Sequence, residues 1–163
     1  MVKNRISPSD FNILSTEFRT KDVTEVIKSL KSNSAPGPDG LPAHFYHHYW
    51  DIIGSNILDF VLNILNNEGS IEDINHTFIC LIPKNNPPST PSDYRPISLC
   101  NVILKIITKT LANRVKLVLP NIINEHKSVF LPGRLITNNS LIAFETFNYN
   151  KKPRKTLPKP MIA

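Results

Sequence analysis

Two short apolar runs separated by a proline-rich loop constrain the fold of this chain more than any other feature. Residues 77–82 are rich in strand-forming side chains, and Pro83 ends the run. Residues 85–92 have the composition of a loop, and residues 95–99 provide a second apolar run. The pattern predicts a two-stranded antiparallel hairpin, in which edge positions tolerate both Pro83 and Pro96.

Helical periodicity is present on both sides of this hairpin. Apolar residues recur at helical spacing from Val23 to Leu30, and Asp22 is a candidate cap. Residues 1–21 show little periodicity, so we expect an irregular lead-in. The predicted helices cover about 22–32, 43–50, 54–67 (closed by Gly69) and 101–119 (ended by Pro120). The fold class is therefore α+β, with several helices around one short antiparallel strand pair.

Further elements are predicted after Pro120. Residues 128–131 form a candidate short strand before a Pro132-Gly133 turn, and Asn138 or Asn139 is positioned to cap a helix ending near Tyr149. We expect one domain over residues 22–150, followed by a mobile, basic, proline-containing tail over 151–163.

Charge is distributed unevenly along the chain. The net charge is +6, but residues 1–75 hold 6 Lys/Arg against 10 Asp/Glu, while residues 76–163 hold 13 against 3. By subtraction the two parts carry −4 and +10. The basic part favours a phosphate-rich partner, although a solvated basic surface has the same composition.

The remaining composition indicates an intracellular chain. Cys80 and Cys100 lie in or beside apolar runs without metal-ligand spacing, as is typical of reduced, buried thiols. No apolar run approaches the roughly 20 residues that span a bilayer, so no membrane association is expected. The basic run from Lys151 to Lys155 leaves nuclear entry open, and the oligomeric state is not determined by the sequence.

Four sequence blocks occur in a fixed order. They are Ser34-Ala35-Pro36-Gly37-Pro38-Asp39-Gly40, Leu81-Ile82-Pro83-Lys84, Tyr94-Arg95-Pro96-Ile97-Ser98-Leu99 and Ser128-Val129-Phe130-Leu131-Pro132-Gly133-Arg134. With these blocks the chain resembles, from about residue 31 to 152, the reverse transcriptases of non-LTR (LINE-type) retrotransposons, particularly those of plants. The resemblance implies the fingers and early palm region of a right-hand polymerase, with the rest of the palm truncated.

The resemblance implies that Lys84 and Arg95 bind the triphosphate of an incoming deoxynucleotide. Lysine supplies a compact positive charge and arginine a planar fork, and two fixed cations suit a polyphosphate. A purely structural alternative is also open. Arg95 could cap a turn through Asp93, and Lys84 could simply solvate an edge strand.

The resemblance also implies contacts with an RNA template and DNA primer. Where the family has Gln-Ser-Ala-Phe-x-Pro-Gly-Arg, this chain has Lys127 and Val129 in place of glutamine and alanine. These changes put precise positioning of the templating base in doubt, but Arg134 remains a candidate contact to phosphate or template. We expect an architectural role for the 35–40 block, with Asp39 as a turn residue and weak contact with the template backbone as a secondary possibility.

Helix 101–119 carries the other candidate nucleic-acid contacts. Lys105, Lys109 and Lys116 lie on one face, and Arg114 projects from the opposite, apolar side. Because an unpaired guanidinium there would be costly, Arg114 is expected to meet a carboxylate, backbone carbonyls or a ligand phosphate. Glu125 is one candidate partner.

Catalysis requires groups that this sequence lacks. The family holds Mg²⁺ through aspartate blocks that follow the position of Arg134, whereas no aspartate follows Asp93 here. We therefore expect no catalytic residue, no metal ligand and no cofactor in this chain, and no polymerase activity from it alone. His44, His47 and His48 have spacing that permits zinc, but no fourth ligand is evident and the adjacent aromatics favour packing.

Two other functions remain open. The chain could be a non-catalytic RNA-binding module that uses the lysine face of helix 101–119, or the inert product of a degraded retroelement. Primer-extension activity distinguishes the enzymatic possibility from both.

Overall fold

A computed structural model of the chain describes residues 6–67, 69–123, 141, 144 and 145. The chain divides into two compact units, Pro8–Leu117 and a second that comprises Met1–Ser7 with Val118–Ala163. Except at the end of the last helix, the contacts discussed below belong to the first unit. In chain order the elements are α1 (Pro8–Ser15), α2 (Thr20–Lys28), α3 (Ala43–His48), α4 (Trp50–Asn67), β1 (Thr77–Pro83), β2 (Tyr94–Cys100) and α5 (Val102–Ile122), with 3₁₀ turns at Glu72–Ile74 and Pro91–Asp93.

The predicted α+β class and the central hairpin are confirmed. β1 and β2 pair antiparallel, with Thr77 opposite Cys100 and Pro83 opposite Tyr94. The Lys84 amide donates to the Asp93 carbonyl at 2.6 Å, which extends the ladder by one rung. Since hydrogen-bonded and non-hydrogen-bonded rungs alternate, Pro83 and Pro96 fall on rungs where no amide donor toward the partner strand is needed.

The core is helical. Its buried residues come from α2, α3, α4 and α5 at the i, i+3 and i+4 spacings that place side chains on one helix face. They are Val23, Val26, Ile27, Ala43, Tyr46, Val61, Val102, Ile106 and Ile107. By contrast, all seven residues of β1 are exposed. The hairpin is therefore held by its own ladder and loop rather than by this core.

The prediction of an irregular lead-in is wrong for Pro8–Ser15, which forms α1. Apolar periodicity is weak there, but Pro8 occupies the first helical position and Asp10 lies in the first turn. A proline with preset φ and an acidic side chain near the positive end both favour helix initiation. These end signals, and not a hydrophobic stripe, mark the helix.

Helix boundaries also differ from the predictions. α2 begins at Thr20 with Arg19 as its N-cap, and Asp22 accepts the Arg19 amide at 2.9 Å from inside the first turn. α5 continues through Pro120 to Ile122, and the Ile123 amide still donates to the Leu119 carbonyl at 2.9 Å. A proline in the last turn removes one helical hydrogen bond without ending the helix.

Asn101 connects the 35–40 block to the 3₁₀ turn that precedes β1. This buried side chain accepts the Asp39 amide at 3.3 Å and donates to the Ile74 carbonyl at 3.3 Å. The Gly40 amide donates to the Gly37 carbonyl, and the Asp39 carboxylate accepts the Leu41 amide at 3.1 Å, so Asp39 is confirmed as a turn residue. The block thus packs where β2 passes into α5.

Part of the prediction lies outside the described residues. This applies to the strand at 128–131, the turn at Pro132-Gly133 and the tail at 151–163, whereas Leu141, Phe144 and Glu145 are helical. Within the described part of the chain, no helix has the length and apolar content needed to cross a membrane.

Replacing Gly37 by alanine should destabilise the fold more than the same change at Gly40. A Cβ at Gly37 would overlap the backbone nitrogen of Asn101, whereas a Cβ at Gly40 meets nothing within 4 Å. We expect Gly37→Ala to lower the free energy of unfolding by roughly 3 kcal/mol through overpacking against backbone. Gly40→Ala should cost about 1 kcal/mol because its φ of +70° disfavours a side chain. Equal losses in urea unfolding would contradict the close approach at Gly37.

Candidate nucleotide-contacting surface

Asp93 organises the loop that joins the two strands. Its carboxylate accepts the Ser89 amide at 2.9 Å, the Thr90 amide at 2.8 Å and the Thr90 hydroxyl at 3.1 Å. These hydrogen bonds, led by the one from the Ser89 amide, lower the pKa of Asp93 below its ordinary value. The pattern Thr90-Pro91-Ser92-Asp93 is that of a capping box, a local signal that is present in the sequence but is not part of the four ordered blocks.

Lys84 and Arg95 lie on the same face of the hairpin. Arg95 is opposite Ile82, and Lys84 follows Ile82 by two residues, so the alternation of side chains directs both cations to one side. They occupy diagonal positions on adjacent hydrogen-bonded rungs, for which typical separations are about 7–8 Å. We call this side the Lys84 face; its other members are Phe78, Cys80, Ile82, Asp93, Ile97 and Leu99.

The two cations have different surroundings. The Lys84 ammonium donates to the Ser92 carbonyl at 2.7 Å, so it also closes the end of the hairpin. Arg95 is exposed, and within the described part of the chain its guanidinium has neither a hydrogen bond nor an ion pair. The structural alternative in which Arg95 caps a turn through Asp93 is not observed among the described residues, where the hydrogen bonds to that carboxylate come from amides and a hydroxyl of the loop.

Two of the predicted nucleic-acid-binding lysines on α5 contact backbone carbonyls. Lys105 donates to the Ala35 carbonyl at 2.9 Å, and Lys109 donates to the Ser29 carbonyl at 3.3 Å. Ser29 is the C-cap of α2, where a cation also interacts favourably with the helix dipole. Lys116 is exposed. The lysine face is thus partly used to hold α2 and the 35–40 block.

Arg114 fastens the segment before α2. Its guanidinium donates to the Thr16 carbonyl, to the Glu17 carbonyl at 3.2 Å and to the Asp22 carboxylate at 3.4 Å. The guanidinium carbon also lies 3.3 Å from the centre of the Phe18 ring. The expectation that Arg114 meets a carboxylate or carbonyls is confirmed, with Asp22 as the carboxylate.

The remaining candidate residues lie either outside the described part of the chain or in α3. Arg134 and Glu125 lie outside the described residues. His47 lies 2.8 Å from the Ile27 carbonyl through Nε2 and 3.1 Å from the Ser32 hydroxyl through Nδ1, so both ring nitrogens have polar partners. In the described ranges, no three or more His, Cys, Asp or Glu side chains are grouped to hold a metal ion.

Phe18 and Ser92 are contact residues that the sequence motifs did not identify. Phe18 has no periodic pattern around it, and the Ser92 contact is made by a backbone carbonyl, which carries no residue-specific signal. The structure identifies them by their contacts with Arg114 and Lys84.

The chain is similar to a transposon-encoded protein. It is 27% identical over 142 residues, or 85% of its length, to the "Transposon TX1 uncharacterized 149 kDa protein" of Xenopus laevis. The chain spans 11% of the length of that relative. No family model matches the sequence. The similarity is to a transposon-encoded protein and gives no support for a specifically plant-type relationship.

Replacing Arg114 by lysine should destabilise the protein although the charge is retained. Lysine cannot contact two carbonyls, a carboxylate and an aromatic ring through one planar group. We expect the free energy of unfolding to fall by about 1–3 kcal/mol, measured by urea unfolding. The matched control is Lys116→Ala, an exposed cation on the same helix. A loss no larger than that of the control would show that Arg114 does not fasten the segment.

The lowered pKa of Asp93 predicts a specific acid transition in the loop. A depressed carboxyl pKa stabilises the loop fully above the ordinary value of 3.8, and this stabilisation is lost as the pH falls through the lower folded value. The Ser89 and Thr90 amide resonances should therefore shift with a midpoint below 3.8 in an NMR titration, and Asp93→Asn should abolish that transition. A midpoint at or above 3.8 would mean that these hydrogen bonds do not form.

Proposed function

We propose that this chain is the fingers region of an RNA-directed DNA polymerase encoded by a LINE-type retrotransposon, and that Lys84 and Arg95 bind the triphosphate of the incoming deoxynucleotide. The observation that carries the proposal is the position of both cations on the Lys84 face of one hairpin. The ordered sequence blocks and the similarity to a transposon-encoded protein support the same conclusion.

The chemistry of the two side chains suits a polyphosphate. Arg95 is exposed and, within the described residues, has no intramolecular partner, so its fork can make paired hydrogen bonds to phosphate oxygens. The Lys84 ammonium uses one donor on Ser92 and retains two of the three donors that an ammonium carries. Together they offer a planar and a compact cation to neighbouring phosphoryl groups.

The loop supports this arrangement before any ligand binds. Asp93 and the Ser92 carbonyl hold the end of the hairpin through contacts that do not involve Arg95. The Lys84 side chain is therefore held before binding, which avoids part of the ordering cost that a flexible side chain pays. The neighbouring Asp93 carboxylate opposes an anionic ligand, and its hydrogen bonds to the loop stabilise that negative charge internally.

Most cations of α5 are bonded within the protein, which limits the contacts that they can offer to a template. The bonds of Lys105, Lys109 and Arg114 to backbone groups favour support of the fingers interior as their main role. Lys116 is the exposed α5 cation left for a nucleic-acid backbone, with Arg134 as a second candidate. These positions also weigh against the alternative of a non-catalytic RNA-binding module based on the lysine face.

The chemical step belongs to groups supplied by the intact enzyme. In the family that the sequence blocks resemble, aspartates would hold Mg²⁺, which would supply activation of the primer hydroxyl and stabilisation of the leaving pyrophosphate. We propose that this chain alone binds nucleotide without extending a primer, since no aspartate follows Asp93. Template-directed extension by the purified chain would refute that part of the proposal.

Nucleotide binding tests the role of the two cations. A deoxynucleoside triphosphate with Mg²⁺ should perturb hairpin amide resonances of the 163-residue chain, whereas the matching monophosphate should bind more weakly. Lys84→Ala and Arg95→Ala should each raise the apparent Kd by at least about fivefold, since each removes charge-assisted hydrogen bonds. Arg95→Lys should restore only part of the loss because the fork is absent.

The matched control for these variants is Lys21→Ala. Lys21 is an exposed cation that is distant in sequence from the hairpin, and its ammonium lies 3.9 Å from the Glu25 carboxylate. If Lys84→Ala and Arg95→Ala bind the triphosphate as tightly as Lys21→Ala does, the proposed nucleotide contact is wrong.

A further inference from the structure

β1 is an apolar strand without cover in the described part of the chain. Ile79 is 68% exposed, Leu81 is 58% exposed and Phe78 is 60% exposed. Residues 77–82 contain no charge, no proline and no glycine. A lone two-stranded hairpin with apolar side chains on both faces is marginally stable in water. An additional strand or surface would therefore stabilise it.

The backbone identifies which edge can accept a strand. The Lys84–Asp93 bond fixes the alternation of rungs, so Thr77, Ile79 and Leu81 direct their N–H and C=O groups away from β2. At the opposite edge of the sheet, on β2, Pro96 occupies the equivalent outward-facing position and has no N–H to donate. The outer edge of β2 is therefore interrupted, while the outer edge of β1 is open from Thr77 to Leu81.

The open edge lacks the devices that usually prevent pairing. Native sheets protect exposed edges with charges, prolines, bulges or covering segments, and residues 77–82 have no such charge or proline. The described sheet has two strands, so no described segment pairs with the outer side of β1.

Charges at the two ends of β1 indicate the partner that fits. Exposed acidic side chains, Glu72 and Asp73, precede the strand, and the cation Lys84 follows it. An antiparallel strand with the same sequence would bring its lysine end to the acidic end of the first, and the uncharged segments between them would pair without like-charge contacts.

We propose that β1 pairs antiparallel with β1 of a second copy of this chain, with the twofold axis at Ile79. In this register Thr77 of each copy lies opposite Leu81 of the other. The outward N–H and C=O groups of Thr77, Ile79 and Leu81 then all pair with the second copy. The two hairpins form one continuous four-stranded sheet across the dimer, in the order β2, β1, β1, β2. The backbone pairing of this isologous interface uses the outer edge of β1 and not the triphosphate contacts proposed for Lys84 and Arg95.

Proline substitution tests the proposed edge. Ile79→Pro removes an outward N–H from β1, and Ser98→Pro removes the outward N–H of the facing residue on β2. Neither change deletes a bond between the strands, so helix content by circular dichroism should be unchanged. In sedimentation equilibrium the parent chain should associate to a dimer, Ile79→Pro should weaken the dimer at least about tenfold, and Ser98→Pro should stay within about twofold of the parent.

Three results would overturn the proposal. They are a parent chain that stays monomeric up to about 100 μM, equal weakening by both prolines, and association that neither proline changes. The last result would indicate contact through a sheet face or through another surface.

A disulfide trap tests the register without relying on the proline variants. With Cys80 and Cys100 replaced by serine, Ile79→Cys would place two thiols on opposed residues about 5.5 Å apart at Cα, within disulfide range. Mild oxidation should give several-fold more cross-linked dimer than for Ser98→Cys in the same background. Equal cross-linking of the two variants would contradict pairing through β1.

Discussion

The antiparallel register of the hairpin is the constraint on which the candidate site depends. Side chains alternate between the two faces of a strand, so a shift of one residue would move Lys84 and Arg95 to opposite sides. Two features oppose such a shift. The Lys84 amide pairs with Asp93, and the Lys84 side chain reaches the Ser92 carbonyl. The cation that is available to phosphate therefore also helps to fix its own position.

The basic half of the chain has a larger structural role than its charge indicates. Arg114 fastens the segment before α2, while Lys105 and Lys109 bind carbonyls of the 35–40 block and of the α2 C-cap. A high density of cations is typical both of phosphate-binding surfaces and of helix ends that need donors for free carbonyls. Arg95 differs from these three, since it is exposed and has no partner among the described residues.

Much of the fold could be predicted from local sequence signals. The strand pair followed from apolar runs and prolines, and α2, α4 and α5 followed from hydrophobic spacing. α1 lacks a clear apolar stripe, and α5 continues past Pro120 although a proline ordinarily ends a helix, so the sequence pattern predicts neither. Both errors have one origin, which is that helix ends depend on a few hydrogen bonds rather than on periodicity.

The candidate site was predicted less completely than the fold. Motif order identified Lys84 and Arg95, and strand alternation explains why they share a face. The partners of Arg114, Lys105 and Lys109 could not be predicted because most are backbone carbonyls from segments distant in sequence. Asn101 and Gly37 illustrate the same limit, since their close contact exists only once β2 and the 35–40 block are packed together.

The register of β1 and β2 places Lys84 and Arg95 on one face. Cross-strand Hα–Hα nuclear Overhauser effects test it most directly, because these protons are close only on non-hydrogen-bonded rungs. The structure predicts such contacts between Leu81 and Pro96 and between Pro83 and Tyr94. Contacts from Leu81 to Ile97 or to Arg95 instead would show a shifted register, and the shared cationic face would not exist.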